Sequence, residues 1–200
     1  GYLADVPASA AAAPKAIVVP HAGYVYSGPV AASAYARLAP LAGTVTRVVL
    51  LGPTHRVPIR GLALPLARAF ATPLGEVPVD AAGVECARTL PQVVVSESAH
   101  AQEHALEVQL PFLQTVLGHF AVVPFAVGDA SAEEVAAVLD ALWGGDETLI
   151  VVSSDLSHYH AYADAARIDR ATAAAVLALS PVLDHEQACG VAFALGASRG

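Results

Sequence analysis

The chain of 200 residues has no methionine, two cysteines, one tryptophan and only 14% charged side chains. Each scarcity excludes something. Cys86 and Cys189 cannot build a disulfide framework, and without CxxC pairs zinc ribbons and thioredoxin-type redox chemistry drop out. No charged n-region followed by an apolar h-region and cleavage site opens the chain, so the expected location is cytoplasmic. Ten Lys and Arg face eighteen Asp and Glu, a net charge of −8 with no block of like charges. That balance argues against an electrostatic grip on nucleic acid or on an anionic membrane, and leaves a small molecule or a protein as partner. Long apolar runs are missing too. Mean hydropathy is +0.56, but Pro, Gly or charged residues interrupt every apolar stretch before the roughly 20 residues a membrane span needs. Finally, a chain without methionine that starts at Gly1 is expected to lack N-terminal sequence, and a helix start at residues 189–195 with no strand to follow leads to the same expectation for the C-terminus.

What is present suffices for one core, since hydrophobic residues make up 56% of the chain. Residues 1–14 read as an alanine-rich, proline-punctuated arm, and residues 15–200 as a single domain. Short β-branched runs at 16–19, 47–51, 120–125 and 148–153 alternate with alanine- and leucine-rich segments, the pattern of an α/β fold. Helices are expected over 29–38, 81–90, 105–117, 131–143 and 161–179. Ser131 with Glu134 spells a capping box, and Pro111 should kink or divide the third helix. Residues 58–80, broken by Pro and Gly, suggest a small added β portion.

The chemistry is expected where strands end. The first strand runs into Pro20-His21-Ala22-Gly23-Tyr24, the second into Gly52-Pro53-Thr54-His55, and the fourth into Ser153-Ser154-Asp155-Leu156-Ser157-His158. In parallel α/β sheets the carboxyl ends of neighbouring strands open into one crevice, where ligands bind. If these three strands are neighbours, His21, His55, Asp155 and His158 meet there. Strand-end imidazoles suit a borderline transition metal, completed by a carboxylate or a thiolate, and Cys189 is the available thiolate. Glu103 and Glu107 flank His104 at the start of the third expected helix, where acidic residues also serve as caps. His100, His119, His160 and His185 read as surface residues and Cys86 as a small hydrophobe within a helix. Tyr24 and Tyr26 either line the crevice or pack. The G-x-S-x-G elbow, the phosphate-binding loop and the dinucleotide fingerprint are absent, which leaves Ser153 or Ser154 with Asp155 and His158 as a weak hydrolase alternative.

Four segments together carry a family resemblance: 18–28 with His21, 50–55 with His55, 103–112 with His104 and Glu107, and 151–159 with Asp155 and His158. Their order and spacing resemble the Memo family, whose prokaryotic members are called AmmeMemoRadiSam system protein B. The resemblance spans residues from about 15 to 190. It implies a fold similar to the class III extradiol dioxygenases: one domain, a mostly parallel central sheet, flanking helices and a small added β portion. It further implies metal binding by His21, His55 and Cys189, with Asp155 and His158 beside them and His104 and Glu107 in a motif near the site. Where the dioxygenases use a carboxylate, this set uses a thiolate, which is softer, favours copper or a more covalently held iron, and is itself oxidisable.

The function expected from this resemblance is oxidation of a small molecule dependent on Fe(II) or copper, with His158 as acid or base and Asp155 orienting it. A non-catalytic module that binds a peptide or small ligand in the same pocket is the alternative, followed by a metal-dependent hydrolase in which Asp155 or His158 activates water. The family name points to AMMECR1-like and radical-SAM proteins as partners.

Overall fold

Eight strands are assembled in the computed structural model, which describes residues 1–7, 12–178 and 188. They are β1 (Ala16–Val19), β2 (Arg47–Pro53), β3 (Leu62–Leu64), β4 (Ala69–Thr72), β5 (Gly75–Pro78), β6 (Val93–Val95), β7 (Ala121–Val127) and β8 (Thr148–Ser153). Six of them form one sheet in the order β1-β8-β2-β7-β3-β6. Every pairing in it is parallel except β3 with β7. The β4–β5 hairpin is the small added β portion, antiparallel and separate. The α/β architecture expected from the strand and helix alternation is therefore present, in one domain.

The β-branched runs are nearly continuous because the central strands are covered on both faces, as parallel sheets require. Alternate residues serve opposite cores. Val48, Leu50, Val122, Leu149 and Val151 join one cluster with Tyr35, Leu113 and Leu117. Their neighbours Val49, Leu51, Val123, Ile150 and Val152 join the other, with Val138, Leu139 and Leu142. The first face is covered by α1 (Tyr24–Tyr35) and α4 (Leu110–Leu117). The second is covered by α2 (Ala81–Ala87) and α5 (Ala132–Leu142). A short α3 (Glu97–His100) and a long α6 (Tyr162–Leu177) complete the set. Among the described residues, no helix is long and apolar enough to cross a membrane.

Several boundaries differ from expectation for identifiable reasons. Helix α1 begins at Tyr24, directly after the His21 loop, and carries Pro29 inside rather than at its first turn. Pro111 does divide its segment: a 3-10 turn at Glu107–Gln109 precedes α4, and the proline occupies the helix's first turn, where no amide hydrogen is needed. The Ser131–Glu134 capping box opens α5 as expected. Strand β6 and helix α3 are too short to show as periodic patterns. Cys86 is exposed rather than a packed hydrophobe, with its thiol 3.7 Å from the Ala141 carbonyl. His100 is not a surface residue: its Nε2 lies 2.9 Å from the Ala63 carbonyl, and burial lowers its pKa. His119 and His160 are exposed as expected, and His185 lies outside the described residues. In the N-terminal arm, Tyr2–Asp5 forms a 3-10 turn, and Leu3 and Val6 rest against the first core.

Candidate functional site

Strand order brings the predicted residues together. β8 lies between β1 and β2, parallel to both, with Val19 in register with Ser153 and Leu51 with Val152. The loops leaving their carboxyl ends, carrying His21, His55 and Asp155, therefore open side by side. Asp155 joins two of them: its Oδ1 accepts the backbone amides of His21 at 2.8 Å and Ala22 at 3.2 Å. Its Oδ2 lies 3.7 Å from His21 Nε2 and 3.8 Å from His158 Nε2, so one carboxylate oxygen stands between two imidazoles.

The segment before α4 closes the site from a third side. Gly52 admits it: a Cβ there would lie 2.9 Å from Leu106 Cδ2 and 3.3 Å from Ala105 Cβ. This close approach sets His104 beside both strand-end histidines. Ring centroids are 5.2 Å apart for His21 and His55, 5.6 Å for His55 and His104, and 5.9 Å for His21 and His104. His21 is buried, whereas His55 and His104 are exposed towards the mouth.

Glu103 is a residue for which sequence reasoning left a capping role open. It is buried, and its Oε1 lies 2.9 Å from His55 Nδ1 while also accepting the Ala105 amide at 2.9 Å. Its Oε2 accepts the His55 backbone amide at 2.7 Å. Burial pushes this carboxyl up, but the hydrogen bonds from His55 and Ala105 outweigh it and hold the pKa at about 2. Glu103 is thus ionised and, as an acceptor only, assigns the proton of His55 to Nδ1 and the lone pair to Nε2. His55, Glu103 and His104 offer ligand atoms within 4.8 Å of one another, a group that can hold a metal ion. Because both Glu103 oxygens already serve His55 and the backbone, the carboxylate is better suited to orienting the imidazole than to ligation.

The other expected residues divide. His158 is half-exposed beside Asp155. Glu107 is exposed at the start of the 3-10 turn, and its charge, after burial, contributes to the raised pKa of Tyr24. Tyr24 donates its hydroxyl to the Val108 carbonyl at 2.9 Å, while Tyr26 is exposed. Cys189 lies outside the described residues. Ser153 is no nucleophile partner of His158: its hydroxyl donates to the Ala105 carbonyl at 2.6 Å and contacts His21 instead. Sequence reasoning also passed over Gln109 and Tyr35, which are fully buried. The available signal was polar atoms set inside apolar runs, because buried polar groups need partners.

A mostly parallel α/β sheet with imidazoles gathered at its strand ends defines a protein with a candidate metal pocket. A family model described as Memo-like protein matches residues 2–188. A MEMO1 family protein of Thermotoga neapolitana is 41% identical over 155 residues, covering 73% of this chain and 54% of the relative. One from Sulfolobus acidocaldarius is 38% identical over 149 residues, 71% of this chain and 52% of the relative. A third, from Thermotoga maritima, is 36% identical over 189 residues, 86% and 64% respectively. The chain belongs to the Memo family, and it spans about half to two thirds of the length of these curated relatives.

Proposed function

We propose that this protein is a metal-dependent, dioxygenase-like oxidoreductase acting on a small molecule, with His21 and His55 as the imidazole ligands of one iron or copper ion. The observation that carries this reading is the meeting of three imidazoles, 5.2 to 5.9 Å apart, with two carboxylates each engaged with a histidine. The donor set fits a borderline ion: neutral imidazole nitrogens bind iron and copper well, and Glu103 makes His55 the more basic ligand. His21 Nε2 and Asp155 Oδ2 lie 3.7 Å apart, so a carboxylate stands beside the imidazole nitrogen that would hold the ion. Cys189 is the proposed thiolate ligand, a role that the family resemblance supports.

A bound iron or copper ion would supply the electron-transfer chemistry that oxidation by O₂ requires. The chain's own groups handle position and protons. His104 stands at the exposed side of the ring cluster, within reach of a substrate entering from solvent. His158, half-exposed with Nε2 3.8 Å from Asp155 Oδ2, holds or releases a proton at that nitrogen while the carboxylate steadies it. Glu107 is assigned a supporting part at the rim, beside Tyr24.

The test is elemental analysis of protein purified without chelators and without a histidine tag, wild type against His21→Ala and Cys189→Ser. Near-stoichiometric iron or copper in the wild type, lost in both variants, is the expected result. No uptake even after anaerobic reconstitution would overturn it and favour the ligand-binding alternative. That second reading has its own observation: Tyr26 and Tyr159, on the segments carrying His21 and His158, are 84% and 106% exposed. In that case AMMECR1-like and radical-SAM proteins are the first partners to assay.

A further inference from the structure

Behind His21 runs a chain of buried polar groups whose hydrogen count closes. The Pro20 carbonyl can only accept, so the Gln109 side-chain atom 2.9 Å from it is the amide nitrogen. The Gln109 Oε1 then faces Tyr35, whose hydroxyl donates to it at 2.8 Å. The same amide nitrogen donates its second hydrogen to Ser153 Oγ at 2.9 Å. The Ala105 carbonyl also only accepts, and at 2.6 Å it takes the single hydroxyl proton of Ser153. Ser153 has no hydrogen left to offer. Its Oγ, 3.0 Å from His21 Nδ1, must accept from that ring nitrogen, since the reverse tautomer would set two lone pairs against each other at a buried contact. Tyr35 and Ser153 are 0% exposed and Gln109 1%, so water does not compete for these bonds. The far end is anchored in the core, where the Tyr35 ring stacks on Phe112 with centroids 4.9 Å apart.

We infer that Tyr35, Gln109 and Ser153 form a positioning relay that fixes a proton of His21 on Nδ1, so that the ring, when neutral, presents its lone pair at Nε2. The consequence for metal binding rests on the functional reading above, but the relay itself rests on the hydrogen-bond inventory. None of the three residues belongs to the proposed ligand set. They act through His21, by choosing which nitrogen it presents beside Asp155 Oδ2.

Long-range proton–nitrogen NMR on chelator-treated protein, with His21 assigned by comparison with His21→Asn, reads the tautomer directly. The wild type should show His21 protonated at Nδ1. In Ser153→Ala the proton should move to Nε2, where Asp155 accepts it, and affinity for added Fe(II) and Cu(I) should fall about 10- to 100-fold. Ser153→Thr, which keeps the hydroxyl, should restore both. Tyr35→Phe, which removes only the last donor of the relay, should loosen the tautomer preference with a smaller loss of affinity, and serves if Ser153→Ala does not fold. A wild type protonated at Nε2, or a folded Ser153→Ala with tautomer and affinity unchanged, would overturn the relay. Wild-type protein that takes up neither metal overturns the metal reading instead, and the relay is then decided by the spectra alone.

Discussion

His21 and His55 leave strands that flank the same neighbour, β8, yet they are held in opposite ways. His55 stands at the exposed side and is gripped by an ionised carboxylate, whose pKa of about 2 reflects hydrogen bonds that overcome its burial. His21 is buried and held from behind by neutral groups, a serine hydroxyl fixed by a glutamine amide and a tyrosine. The difference follows from burial. A charge behind His21 would have to be desolvated deep between two strands, whereas Glu103 has three hydrogen bonds from His55 and Ala105 to offset that penalty. Both arrangements put the ring proton on Nδ1. Only the first sets a carboxylate on the Nδ1 side of the ring, since Asp155 meets His21 at its backbone amide and on the Nε2 side, so the two sides of one pocket differ in electron donation while sharing direction.

This contrast can be broken from the charged side first. Glu103→Ala removes the acceptor of three hydrogen bonds from a buried position and should destabilise the fold by about 3–5 kcal/mol, measured by urea unfolding. Acid should act through the same group. Its folded pKa of about 2 lies below the usual 4.5, so the stabilisation is complete above about pH 4.5 and is lost as pH falls toward 2. Glu103→Gln should flatten the stability profile over that window, and an unchanged profile would show that Glu103 is not held ionised. His100, whose pKa is lowered by burial, predicts a separate and weaker loss as pH falls below its ordinary value of 6.5. Gly52→Ala should force Ala105 and Leu106 away from β2 and destabilise by about 1–3 kcal/mol, with weaker metal uptake because His104 moves with them. On the neutral side, Tyr35→Phe should cost about 1–3 kcal/mol, because the Gln109 oxygen it leaves behind stays buried.

Much of this was legible in the sequence. Four of the six sheet strands announced themselves as β-branched runs, and the three whose loops carry His21, His55 and Asp155 are neighbours, as the strand-end reading requires. The helix boundaries were less legible, because Pro29 sits inside α1 and Pro111 opens α4, two uses of one residue type that sequence rules weigh alike. Glu103 was hidden by ambiguity of another kind. An acidic residue before an apolar segment reads as a cap, and only the close approach over Gly52 turns it toward His55. Ser153, Gln109 and Tyr35 each lie in separate elements, and nothing local marks them as one network.

Anomalous diffraction at the iron and copper edges, from crystals of metal-loaded protein, tests the central claim most directly. The expected result is one peak per chain bonded to Nε2 of both His21 and His55, with Glu103 still on His55 Nδ1. A peak on Nδ1 of either ring, or one bound through Glu103 without His21, would contradict it.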